Sequence, residues 1–166
     1  EYRLFRAPAF KVGEERLPTN RELTGFFDGG SSGNPGKSAA GYHIDLEHKT
    51  LLSRAEYLGN RTNNQAEMLA LILMLGEAYC QGVSRQSVSG TVFWWLIYEQ
   101  NVLAQEQFLI YYFYAADALA RKFEAISFAH IGRAYNFKAD LLVRRVLGNQ
   151  TAYKPQKSDF ADKKDE

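Results

Sequence analysis

Apolar and polar positions change their period along the chain, and those changes mark its elements. A short apolar run from Leu23 to Phe27 leads into Asp28 and then Gly29-Gly30-Ser31-Ser32-Gly33-Asn34-Pro35-Gly36, which reads as a strand closed by Asp28 and followed by a loop. Residues 39–46 and 51–58 alternate loosely around Glu47-His48-Lys49-Thr50, the pattern of a hairpin. Thr62-Asn63-Asn64-Gln65-Ala66-Glu67 opens a helix, with Thr62 or Asn63 as its N-cap and Glu67 in its first turns. Met68 to Tyr79 is apolar on most faces, as in a helix packed inside a domain, and Gly82 stops it. A short strand over Ser87–Gly90 follows, then two helices, Thr91 to about Ala104 and Gln105 to Phe123. A strand over Ala125–His130 and a helix from about Asn136 to Leu147 complete the pattern. Three strands, helix, strand, two helices, strand, helix is the order of an α/β fold with a mixed sheet and helices on both faces.

Composition adds bounds. The chain has 166 residues, 46% hydrophobic and 23% charged, enough for one domain with its own core. Residues 1–21 carry mixed charge and two prolines and read as an arm, residues 22–148 as the domain, and 149–166 as a polar tail. The net charge of +1 argues against strong overall attraction to nucleic acid, leaving room for a local basic patch. The single cysteine, Cys80, lies in an apolar helical stretch and reads as a buried small hydrophobe. No run reaches the roughly 18 apolar residues of a membrane span. The chain begins at Glu1, which a removed targeting peptide or recombinant expression would both explain.

Candidate chemistry lies in Asp28, Glu67 and Asp140, each near an end of an element. Carboxylates are hard oxygen ligands suited to Mg²⁺ or Mn²⁺. A two-metal site, with ions about 3.5–4 Å apart, needs several acids converging from distant parts of a chain. Taken singly, an acid in a helix's first turn is more often a dipole partner.

The motifs around these acids change that weighting, because they resemble ribonuclease H type 1. Phe27 to Gly36 is similar to that family's first-strand motif, and Thr62 to Glu67 to the start of its first helix. Ile126-Ser127-Phe128-Ala129-His130-Ile131-Gly132-Arg133, with Asn136 and Ala139-Asp140, resembles its last strand and final helix. The resemblance covers about residues 22–148 and implies a ribonuclease H-like mixed five-stranded sheet flanked by helices. It implies Asp28, Glu67 and Asp140 as metal ligands, with Mg or Mn as the cofactor if any is bound. It places Asn34, Thr62, Asn63 and Asn64 at the minor groove of an RNA/DNA hybrid, where sugar hydroxyls and phosphates are read. His130 matches a strand histidine before the final loop; a histidine that merely fills a strand position carries equal weight. Arg133 and Asn136 are expected to shape the loop that holds the last helix.

One member of the resembled set is missing. The family's strand after the first helix ends in Gly-Asp, and that aspartate is its third metal ligand; here Gly90 is followed by Thr91. No acid occurs between Arg85 and Tyr98, so a slip of register does not restore it. A hydroxyl lacks the charge that offsets dehydration of Mg²⁺. Beside this gap, residues 92–114 read VFWWLIYEQNVLAQEQFLIYYFY, without a Lys or Arg. Phe93, Trp94, Trp95, Leu96 and Tyr98 are too apolar to hide on one helix face, so they are expected to meet another protein; a thicker internal core covered by the arm is one alternative, and stacking on single-stranded RNA is another, which the missing basic residues disfavour.

Two readings therefore stand. In one, the chain is a pseudo-enzyme, a structural or RNA-contacting subunit of a larger assembly whose processed-looking start favours a mitochondrial setting such as a mitoribosome. In the other, it is an active metal-dependent ribonuclease H that cleaves RNA in RNA/DNA hybrids.

Overall fold

A computed structural model describes residues 10–12, 16–91 and 109–148. Its sheet is built outward from β2 (Glu22–Gly33), which pairs antiparallel with β3 (Gly36–Leu46) on one side and parallel with β5 (Arg85–Gly90) on the other. β4 (Lys49–Arg61) pairs antiparallel with β3, and β6 (Ala125–His130) pairs parallel with β5. These form the mixed five-stranded sheet expected from the sequence. A short strand β1 (Phe10–Val12) adds a sixth, antiparallel to β4, giving the order β1-β4-β3-β2-β5-β6.

Alternation along β2 sets what each face carries. Leu23, Phe27 and Gly29 are buried on the side of α1 (Asn63–Cys80), and Thr24, Phe26, Asp28 and Gly30 alternate with them. β3 is buried over eight consecutive positions because both of its faces are covered, by α1 and by α3 (Phe137–Val146). Under α1, Leu23, Ile44, Leu52 and Val88 of the sheet pack in one core with Met74 of α1 and with Leu109 and Ala116 of α2 (Leu109–Ala120). Under α3, His43 stacks on Phe26 with ring centroids 4.6 Å apart and hydrogen-bonds Asp45 at 2.8 Å.

α1 starts with reciprocal capping. The Thr62 hydroxyl accepts from the Gln65 N–H at 3.1 Å, and the Gln65 side-chain oxygen accepts from the Thr62 N–H at 3.0 Å. A Schellman turn ends it: the Gly82 N–H reaches the Tyr79 carbonyl and the Val83 N–H the Ala78 carbonyl, both at 3.0 Å. Among the described residues no helix is long and apolar enough to cross a membrane.

Two expectations need correction. Asp28 does not close its strand: β2 runs on to Gly33, because the glycine-rich string stays paired with β3 as far as Gly33↔Gly36. Cys80 is exposed, since it is the last residue of α1 and lies where the helix leaves the core. Of the two N-cap candidates the structure uses Thr62, with Gln65 completing the cap and Glu67 in the second turn of α1. Residues 92–104 of the helix expected over 91–104, and the polar tail, lie outside the described residues.

Candidate active site

Asp28 occupies the middle of β2, with Gly41 of β3 directly across from it. Two glycines beside it let a helix close in from each face. A methyl group at Gly29 would stand 2.2 Å from the Ala66 backbone of α1, and one at Gly41 would stand 2.7 Å from the Ala139 carbonyl oxygen of α3. The residues after those contact points are Glu67 and Asp140. Close helix–sheet approach thus delivers two acids to the strand that carries the third, and all three line one open cleft.

The acids are joined to one another and to their supports. The Gly29 N–H donates to Glu67 Oε2 at 3.2 Å. Glu67 is 5% exposed, and its carboxyl is held well above the usual range by burial first and then by the charge of Asp28. Burial also raises Asp28, to about 7, aided by the charge of Asp140 and a hydrogen bond shared with it, while the Arg133 guanidinium pulls the other way. Asp140 accepts a charge-assisted hydrogen bond from Arg144 Nε at 2.7 Å, four residues along α3. The Asn136 side-chain N–H donates to the Phe27 carbonyl at 2.9 Å. That bond ties the start of α3 to β2 one residue before Asp28.

Thr91 lines the same cleft, so the position where the family resemblance expects an acid borders the carboxylate set with an uncharged residue. Asp28 and Glu67, raised by burial first and then by a neighbouring acid's charge, need more opposite charge than Arg133 brings, which a hard divalent cation would supply. As placed, however, no three Asp, Glu, His or Cys side chains among the described residues form a cation cage. The set is instead linked through Asp28, which lies close enough to both other acids for their charges to bear on one another. A cation in the cleft would be held by Asp28, Glu67 and Asp140, the acids that line it. Among the described residues no fourth carboxylate lines the cleft to serve a second.

The remaining sequence-expected residues divide. Asn63 lines the cleft. The Asn34 side-chain oxygen accepts from the Asn63 N–H at 3.0 Å, holding the β2–β3 turn against the start of α1, and Thr62 is engaged as the N-cap. Asn64 is half-buried beside them. His130 is exposed at the end of β6 and is not among the residues that line the cleft. Phe93, Trp94, Trp95, Leu96 and Tyr98 lie outside the described residues. Reading the chain by family motifs did not place Arg133 and Arg144 in the cleft. For Arg144 the spacing of four residues from Asp140 was the available signal.

Comparison with known proteins agrees with this geometry. The RNase H family model matches residues 20–90. A bifunctional protein of Mycobacterium tuberculosis is 33% identical over 125 residues, 72% of this chain. The chain spans about a third (34%) of the length of the curated relatives it matches. The solved RNase H1 of Halobacterium salinarum superposes with a TM-score of 0.69 at 30% identity, over 78% of this chain and 99% of its own. LC11-RNase H1, solved in complex with an RNA/DNA hybrid, gives 0.65 at 30% identity, over 74% and 94%.

Proposed function

We propose a function from the premise that the chain belongs to the RNase H family: it binds RNA/DNA hybrid across the acid cleft, with hydrolysis absent or severely weakened. The observation that carries this reading is Thr91, which stands in the cleft with Asp28, Glu67 and Asp140 where a further carboxylate would complete a two-metal set. A divalent cation held by Asp28, Glu67 and Asp140 would supply Lewis acidity toward a phosphate. The chain's own groups do the rest. Asp28 and Glu67 would have to give up their protons to hold that cation, Arg144 steadies Asp140, and Asn63 and Asn34 fix the turn beside the cleft. With a hydroxyl at position 91, the clamp on one side of the reacting phosphate is missing.

Hybrid binding is supported by the LC11-RNase H1 complex, a relative of similar fold that holds such a duplex. A role as a protein-contacting subunit also finds support in α2, which leaves Tyr111 and Tyr114 more than half exposed. The test is to incubate the protein with labelled RNA/DNA hybrid and Mg²⁺ or Mn²⁺ and to follow both binding and cleavage. Binding without cleavage is the expected result. Rapid cleavage that Asp28→Asn abolishes would establish an active ribonuclease H instead.

A further inference from the structure

The loop that leads into α3 carries a second pattern beside the acid cleft. From Arg133 to Lys138, the basic residues at both ends and the aromatic residues Tyr135 and Phe137 are exposed, while Ala134 and Asn136 are buried. Tyr135 is 61% exposed and Phe137 48%, high values for rings that sit on an anchored segment. The anchor is the Asn136–Phe27 hydrogen bond, so these rings stand on a fixed base. Phe137 is the first residue of α3, directly after the short 3-10 turn Arg133–Asn136, and lies three positions before Asp140, a spacing that makes side chains neighbours on a helix surface. Arg133, Asn136 and Asp140 line the cleft, and Phe137, exposed and outside that lining, follows Asn136 directly and so is placed beside it. Between Arg133 and Val146 there are four basic residues and one acidic, in a chain whose net charge is only +1.

We propose that this segment takes an unpaired nucleotide of the nucleic acid in the cleft, its base stacking on Phe137 and Tyr135 and its flanking phosphates meeting Arg133 and Lys138. The proposal rests on the reading that the cleft binds nucleic acid and deepens it by naming a substrate feature. Rings interleaved with cations suit a single strand, because every base has a face to stack and every link a charge to neutralise. The core of a protein interface would instead be depleted of charge around its aromatic anchors. Base faces in a duplex are already stacked on one another, so the preferred ligand carries an unpaired segment next to its paired one.

Fluorescence anisotropy with three probes tests this: a blunt RNA/DNA hybrid, the same hybrid with a short unpaired RNA overhang, and the single-stranded RNA alone. The wild-type protein should bind the overhang form about tenfold or more tightly than the blunt form. The double variant Tyr135→Leu, Phe137→Leu should bind both forms alike, with its thermal melt and blunt-hybrid affinity unchanged, and Phe137→Tyr should keep the preference. No preference in the wild type would overturn the proposal. So would a preference that survives the double variant, or one lost equally in Phe137→Tyr. Single-stranded RNA bound in a ring-dependent way, with the blunt hybrid not bound, would uphold the proposal and defeat the hybrid reading.

Discussion

Asn136 gives its side-chain N–H to the carbonyl of Phe27 at 2.9 Å, and so spends on β2 a side chain that stands at the N-cap position of α3 without capping it. The bond is buried at both ends, and it fixes the distance between the strand that carries Asp28 and the helix that carries Asp140. Its other amide atom, Oδ1, has no hydrogen-bond partner among the described residues. Asn136→Ala would leave the Phe27 carbonyl buried without a donor, a loss of about 1–3 kcal/mol. Urea denaturation measures it; a loss well below 1 kcal/mol would show that the bond contributes little to holding α3.

The closeness of α1 to β2 makes a sharper demand. An added methyl at Gly29 meets the Ala66 and Glu67 backbone within 2.3 Å, so one of the two elements must move. Gly29→Ala is expected to cost about 3 kcal/mol and to weaken metal binding by shifting Glu67. Denaturant unfolding and a calorimetric Mn²⁺ titration of the same variant check both effects. Unchanged stability would mean that α1 stands further from β2 than described.

Metal binding should depend on pH in a definite direction. The Asp28 carboxyl is raised from the usual 3.8 to about 7, and Glu67 is raised as well, so both are held as acids that must lose their protons to become ligands. Mn²⁺ affinity should therefore rise as pH increases through about 7. In the metal-free protein the sign is opposite. The folded state holds these protons more tightly than the unfolded chain, so stability is greatest below the unfolded pKa and falls as pH rises toward 7 and beyond. Calorimetric titrations and thermal melts between pH 5 and pH 8 check both halves, and a metal affinity independent of pH would contradict them.

Gln86 is a buried polar group with an unmet requirement. It is 1% exposed beneath α1, and neither atom of its amide finds a hydrogen-bond partner among the described residues. Gln86→Met keeps the length and removes the unmet polar atoms, and should raise stability by about 1 kcal/mol. A fall in the unfolding midpoint would show that the amide is satisfied after all.

Much of this was legible in the sequence. The capped start of α1, the strand–helix order and the positions of Asp28, Glu67 and Asp140 follow from local pattern and motif, and all three acids meet in one cleft. What escaped depends on tertiary contact. The string from Gly29 to Gly33 reads as loop because its residues favour turns, yet pairing with β3 holds it extended. Cys80 reads as core because its neighbours are apolar, yet the helix has left the core by its last residue. Arg133 lies in the final loop of the family motif, and only the packing of α3 on the sheet brings its charge near Asp28. β1 is too short and too mixed in polarity to announce itself, and exists by pairing with β4.

The central claim is that Thr91, standing in the cleft beside three acids, is what limits hydrolysis. It is tested most directly by restoring the carboxylate. Cleavage of labelled RNA/DNA hybrid in Mg²⁺ should be at or near background for the wild-type protein and should increase by roughly 10²-fold or more in Thr91→Asp, since a second cation site returns. Rapid cleavage by the wild-type protein, left unchanged by Thr91→Asp, would contradict it.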